Sequence, residues 1–243
     1  MDRWRGKVAI VTGASVGIGA ALVEALVNEG LKVVGLARRV GKMEELASSL
    51  KDKKGTLDAV QCDVSKEEDI LKAFKIVEEK FGGLDILVNN AGVLFPSSII
   101  EGPTEHFRQI LDVNVFGVSI CTREAVRLMR KSPSQGHIIN INSVAGHNAE
   151  LIMIPISIYA ASKFAVTGLT DSVRNEIAAA NLNIKITSVS PGAVETDMIN
   201  KLDVPSSMVK LASADIVDGI LYVLSTPPRV QVKELTIAPF NGS

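Results

Sequence analysis

Seven short apolar runs rich in Val, Ile and Leu, separated by stretches with helical spacing, restrict the folds open to this chain. The runs fall at residues 8–11, 33–36, 57–61, 84–88, 137–141, 184–189 and 232–237, and helical patterns open at 20–28 and 43–50. Val8-Ala9-Ile10-Val11 and Ile86-Leu87-Val88 show no polar alternation. A strand dispenses with that alternation when both of its faces are covered, which is the condition of a parallel sheet between helix layers. The expected fold is therefore α/β: a single-domain, doubly wound parallel sheet of seven strands flanked by helices on both faces. At 243 residues and 47% hydrophobic, with no repeat, linker or low-complexity tract, residues 1–243 read as one domain. Ser132-Pro133-Ser134-Gln135-Gly136 is a turn-rich connection between a helix and a strand.

A formal net charge of −1 with interspersed signs argues against nucleic acid or an anionic membrane surface as the main partner. Cys62 and Cys121 stand in apolar surroundings without metal-ligand spacing, which predicts free thiols in a reducing compartment and no metal. The charged start, Met-Asp-Arg-Trp-Arg-Gly-Lys, leaves no room for a signal peptide. The greasiest segment, 151–158, is broken by Pro155 and Ser157 and falls short of the roughly 20 residues a membrane span needs. A soluble, cytoplasmic protein without a membrane span is expected.

Directly after the first apolar run comes Thr12-Gly13-Ala14-Ser15-Val16-Gly17-Ile18-Gly19, opening a helix. Glycines there permit a tight turn and close approach of backbone to a pyrophosphate, while the helix start offers free N–H groups and positive dipole. The expected role is the phosphate-binding turn of a Rossmann-type fold, with Gly13, Ser15, Val16, Gly17, Ile18 and Gly19 as its contacts; the Gly-x3-Gly-x-Gly spacing leaves a plain glycine-rich turn as the alternative. The second run ends in Arg38-Arg39, where a fold preferring NAD presents an acidic residue to the ribose hydroxyls. Guanidinium forks suit a 2′-phosphate, and Ser15 adds a hydroxyl, so NADP(H) is the expected cofactor. Val16 occupies the place where a basic residue would reinforce them.

Tyr159 and Lys163 are four apart in Tyr-Ala-Ala-Ser-Lys, hence on one helix face. An ammonium beside a phenol, whose ordinary pKa is about 10, favours its ionised form and suits it to general acid/base catalysis.

Taken together the motifs resemble the short-chain dehydrogenase/reductase family over nearly the whole chain. They are Thr12 to Gly19, Cys62-Asp63-Val64, Asn89-Asn90-Ala91-Gly92, Asn114, Ser143, Tyr159 to Lys163 and Pro191-Gly192, in that order. Stretches such as Met1 to Arg5, 120–125, 136–143 and 222–227 are similar to an animal branch with insect farnesol dehydrogenases and a vertebrate cytosolic ketosteroid/carbonyl reductase. The resemblance implies that Asp63 partners the adenine ring, with Val64 as a wall. Asp63 is also a candidate helix N-cap near Ser65. By the same resemblance Asn90, Ala91 and Gly92 pass near the adenosine ribose, and Pro191, Gly192, Val194 and Thr196 hold the nicotinamide carboxamide. The catalytic set it implies is Asn114, Ser143, Tyr159 and Lys163. Tyr159 gives the proton, Ser143 steadies the carbonyl oxygen, Lys163 lowers the Tyr159 pKa and binds the nicotinamide ribose, and Asn114 completes a relay to Lys163 through a water. His147 is read as a loop histidine, since nothing in the sequence supplies an acid to orient it.

Two segments are expected to choose the substrate, at about 144–158 and 193–212. The first carries Leu151-Ile152-Met153-Ile154-Pro155-Ile156, either pocket lining or packing; the second carries Met198, Ile199, Leu202, Val204 and Met208. An apolar carbonyl or alcohol fits both. The resemblance also implies a homodimer or homotetramer through the helices around 114–130 and 159–180. Two rivals to an oxidoreductase are considered. A sugar-nucleotide epimerase needs a larger substrate domain than 243 residues supply, and a silent NADP(H)-binding sensor or scaffold would be expected to have lost Ser143, Tyr159 or Lys163.

Overall fold

The computed structural model of the protein describes residues 1–240 other than Pro133, Met153, Val204 and Ser206. Seven parallel strands form one sheet in the order β3-β2-β1-β4-β5-β6-β7. They are β1 (Val8–Thr12), β2 (Lys32–Ala37), β3 (Thr56–Gln61), β4 (Ile86–Asn89), β5 (Gly136–Ile141), β6 (Ile184–Pro191) and β7 (Glu234–Ile237). All seven coincide with the apolar runs. The last begins two residues later than its run, because the Val232 carbonyl accepts from Thr187 Oγ1 (2.7 Å) and Gln231 Nε2 (2.9 Å) instead of a ladder partner.

The helices are α1 (Gly17–Asn28), α2 (Val40–Ser49), α3 (Glu67–Phe81), α4 (Thr104–Leu111), α5 (Val118–Met129), α6 (Ser157–Ala179) and α7 (Ser213–Ser225). Strand β1 shows why apolar continuity was needed. Ala9 and Val11 face a core with Leu22 and Leu26 of α1 and Ile216 and Ile220 of α7. Val8 and Ile10 face the opposite core, with Phe74 of α3 and Leu128 of α5. Full burial of side chains this size contributes about 1.5–3 kcal/mol each, so an unpaired polar residue anywhere from Val8 to Val11 would cost one face or the other. Helix α3 shows local logic too: Glu67, Glu68 and Asp69 oppose its dipole at the start, and Gly82 ends it at φ 75°.

The order of strands reverses between β1 and β4, so a crevice opens beyond their carboxyl ends, the usual ligand site of such sheets. Among the described residues no helix is long and apolar enough to cross a membrane. Cys62 and Cys121 are free and buried, and burial raises the pKa of both thiols, that of Cys62 to about 12.

Candidate active site

Helix α6 carries Tyr159 and Lys163 on its buried face with Ser162, Val166 and Thr170, as their spacing predicts. The Lys163 Nζ donates to the carbonyl of Ile141, the last residue of β5, at 2.9 Å. It stands 5.6 Å from the centre of the Tyr159 ring. Burial dominates both groups, pushing Tyr159 up to about 12, against a hydrogen bond with Ser143 that pulls it down, and Lys163 down to about 8. The expected lowering of the Tyr159 pKa is thus not what the protein alone produces. Desolvation of the phenol outweighs the Ser143 hydrogen bond. With its pKa raised this far, the Tyr159 phenol holds its proton at neutral pH.

Ser143 lies two residues past the end of β5, and its Oγ accepts from Ala145 N at 3.1 Å. Its polar neighbours are occupied elsewhere: Asn142 Nδ2 bonds Thr167 Oγ1 at 2.9 Å, and His147 Nε2 meets Ser190 Oγ at 3.0 Å. The reading of His147 needs one correction, because Glu234 of β7 does supply a carboxylate, 3.3 Å from the same Nε2. Serine and carboxylate share one nitrogen, so the arrangement ties the turn after Ser143 to β6 and β7 and is not that of an oriented base.

Asn114 lies in a π-helical turn, Asp112–Gly117, wedged between α4 and α5. Such turns are rare and concentrate at functional sites. The Asn114 amide is nearly inaccessible, and all of its protein bonds are spoken for. Oδ1 accepts from Val93 N (2.9 Å), while Nδ2 donates to Val93 O (3.0 Å) and Ser162 Oγ (3.1 Å). These bonds run to the segment after Gly92 and to α6, not directly to Lys163.

The glycine turn is fitted closely to its surroundings. Side chains are excluded there: a Cβ on Gly13 would lie 2.8 Å from Ala91 Cα, and one on Gly19 would lie 2.6 Å from Asn90 Nδ2. Thr12, which opens the motif but was given no role in it, stitches β1 to the residues after β4. Its Oγ1 accepts from Asn90 N (3.0 Å) and Ala91 N (2.9 Å), and its carbonyl accepts from Asn90 Nδ2 (2.9 Å). Helix α1 starts after an extended Val16 with no side-chain cap, so its first N–H groups stay available. Ser15 and Ile18 are half-buried beside them, and Arg38 and Arg39 are exposed at the end of β2.

Asp63 is not the N-cap of α3, whose cap position is Lys66. Instead Asp63 Oδ1 accepts from Ser65 N (3.1 Å) and Ser65 Oγ (2.7 Å), a local turn. Burial opposes its ionisation, but the Ser65 bonds and the charges of Arg38 and Lys66 hold the carboxyl below its ordinary pKa. Val64 beside it is buried, and its carbonyl abuts Gly117 of the π-helical turn.

Pro191 ends β6 and Gly192 N donates to Ile237 O at 2.8 Å. Beyond them, Val194 and Leu211 form an isolated parallel bridge that closes the base of the segment at 193–212, which the sequence reading expects to bear on substrate choice. Within it Thr196 Oγ1 donates to Val194 O at 3.2 Å, and its methyl lies against Gly17. Leu202 is buried and Met208 exposed. The first substrate segment sends Ile152, Ile154 and Ile156 into an apolar cluster with Tyr159, shared with Leu94 and Phe95 of the loop after β4. That loop carried no sequence motif. Met153 and Val204 lie outside the described residues, as does the Leu151 side chain.

A seven-stranded parallel sheet with a glycine turn after β1 and a serine, tyrosine and lysine gathered at its carboxyl edge defines a class. Residues 7–205 match the family described as short chain dehydrogenase, and the chain belongs to that oxidoreductase family. It is 51% identical to a farnesol dehydrogenase of Aedes aegypti over 242 residues, covering 98% of each chain. It is 43% identical over 254 residues to the human dehydrogenase/reductase SDR family member 11, covering 98% of this chain and 96% of that one. Among solved structures, it is similar to an alcohol dehydrogenase from Thermococcus sibiricus complexed with 5-hydroxy-NADP. The TM-score is 0.86 at 27% identity, over 95% of each chain. A Mycobacterium marinum short-chain dehydrogenase/reductase matches at TM-score 0.87 and 29% identity, over 97% of this chain and 95% of that one.

Proposed function

We propose that this protein is an NADP(H)-dependent alcohol dehydrogenase/carbonyl reductase for an apolar small molecule, an isoprenoid such as farnesol/farnesal or a ketosteroid-like carbonyl. The observation that carries the proposal is the buried Tyr159 phenol, bonded to Ser143 and set within an apolar cluster of Ile152, Ile154 and Phe95. The likeness to the mosquito farnesol dehydrogenase supports the isoprenoid class.

The residues present fit a dinucleotide. Backbone at Gly13 and Gly19 is too closely packed to admit side chains, the start of α1 is uncapped, and Arg38 and Arg39 offer exposed guanidiniums for a 2′-phosphate. Gly17, Asp63, Val64, Asn90 to Gly92, Pro191, Gly192, Val194 and Thr196 complete the groove. Bound there, a nicotinamide supplies or accepts a hydride. The protein handles the proton. Tyr159 donates its hydroxyl proton to the carbonyl oxygen as that oxygen gains negative charge, leaving a phenolate, and takes the proton back in the reverse direction. Ser143 holds the same oxygen by its hydroxyl. Lys163, still largely charged at neutral pH, stabilises the phenolate left behind. Asn114 fixes Val93 and Ser162 on either side of this group. Half-exposed Leu111, Phe116 and Phe164 on α4, α6 and the π-helical turn between α4 and α5 support a homodimer or homotetramer.

The test is turnover of NADPH, followed by absorbance of the reduced ring, with farnesal, aromatic aldehydes, diketones and ketosteroids. Turnover of at least one is expected, and Tyr159→Phe should lower kcat by about 10²–10⁴. NADPH binding without turnover on any of them would favour a sensor. Arg38→Ala should weaken NADPH far more than NADH, and equal losses would refute the NADP assignment.

A further inference from the structure

His106, in the first turn of α4, lies flat on Phe95, with ring centres 4.3 Å apart and planes 11° from parallel. Its Nδ1 is 2.6 Å from Ser97 Oγ, and Ser97 is buried, with its N–H bonded to the Phe95 carbonyl at 2.8 Å. The Phe95 ring is thus pinned through its face by the imidazole and through its backbone by the residue that holds the imidazole. Two residues upstream, Asn114 grips both backbone polar groups of Val93. The segment between these anchors therefore has little freedom. With one face covered by His106, Phe95 also packs in the apolar cluster around Tyr159, together with Ile110, Ile152 and Ile154.

We infer that Phe95 is a specificity-determining wall of the substrate pocket and that His106 is its positioning residue, the pair selecting carbonyl or alcohol substrates with a flat, unsaturated apolar segment beside the reacting carbon. This rests on the oxidoreductase reading above. An aromatic ring held in one orientation presents a fixed flat face, which a planar conjugated segment covers more fully than a puckered or branched one does. A ring free to rotate averages over orientations and loses that discrimination. Ser97 acts on the ring only through His106 and the backbone.

The decisive experiment measures kcat and KM for trans-2-decenal, decanal and 2,3-butanedione in the wild type, His106→Ala, His106→Phe and Phe95→Leu. His106→Ala should raise KM for trans-2-decenal about tenfold with kcat within about twofold, and should leave the small diketone unchanged. His106→Phe keeps a stacking partner and should restore the wild-type KM. Phe95→Leu should erase the preference for the enal over the saturated aldehyde, and it decides the matter alone if His106→Ala does not fold. Equal losses on all three substrates, or no rescue by His106→Phe, would overturn the inference. If the wild type turns over none of them, nor any of the substrates named above, the proposed activity falls, and calorimetric titration with trans,trans-farnesol judges the wall separately. Binding about tenfold weaker in His106→Ala and restored in His106→Phe sustains it, while equal binding, or none in any variant, overturns it.

Discussion

Lys163 and Lys185 are both buried, both donate from Nζ to a backbone carbonyl, and both have a pKa lowered by burial. Their surroundings differ. Lys185 lies at the amino end of β6, bonded to Pro227 O at 3.0 Å, near Arg3 and His137. There Trp4 Nε1 and Arg3 Nη2 both reach Leu224 O at 2.8 Å, and His137 Nε2 pairs with Thr187 Oγ1 at 2.9 Å. Polar groups at that end tie the terminus and loops to the sheet. Lys163 lies at the carboxyl end of β5, beside a phenol and a serine hydroxyl that converge on one spot. Burial and a lowered pKa therefore do not separate Lys185 from Lys163, the lysine proposed to act in catalysis. Position at the carboxyl edge of a parallel sheet does.

The contrast is sharpest in a pair of variants. Lys163→Met should cost about 10²–10⁴ in kcat, while Lys185→Met should leave kcat/KM within about twofold. Comparable losses in steady-state assays would erase the distinction. Next comes pH. Because Lys163 titrates at about 8, carbonyl reduction should fall as pH rises through that value, and the profile of Lys185→Met should superimpose on the wild type. A flat wild-type profile from pH 7 to 9.5 would contradict the assigned role.

The smallest effect belongs to the opposite end of the sheet. Burial, with Lys185 and Arg3 nearby, depresses His137 to about 3, well under its unfolded value of about 6.5. Below pH 6.5 the unfolded chain takes up a proton that the folded one refuses, so stability is present above that pH and is lost progressively as pH falls toward 3. His137→Gln should shrink the difference in urea-unfolding free energy between pH 7 and pH 5 by about 1–2 kcal/mol. An unchanged difference would show that the imidazole is not the titrating group.

What could be read from the residues alone follows from the range of the forces involved. Strands β1 to β7 were evident because burial on two faces leaves a local apolar signature, and the glycine turn and the Tyr159/Lys163 pair because their parts are neighbours in the chain. The role of Thr12 was invisible, since its partners Asn90 and Ala91 are 78 and 79 residues away. The same holds for Glu234 beside His147 and for Asn114 on Val93. The Tyr159 pKa could not be anticipated either. Spacing reveals the ammonium next to the phenol but not how dry the phenol is.

The bridge between Val194 and Leu211 gives the second substrate segment a closed neck. Glu195 N bonds Leu211 O and Leu211 N bonds Ala193 O, both at 2.8 Å, so the two ends stay side by side whatever lies between them. Doubling the length of such a closed loop adds only about 0.6 kcal/mol of closure entropy. The segment therefore behaves as an exchangeable cassette. Residues 196–210 can be lengthened or exchanged at little cost to that neck, while the sheet and the glycine turn below keep their geometry.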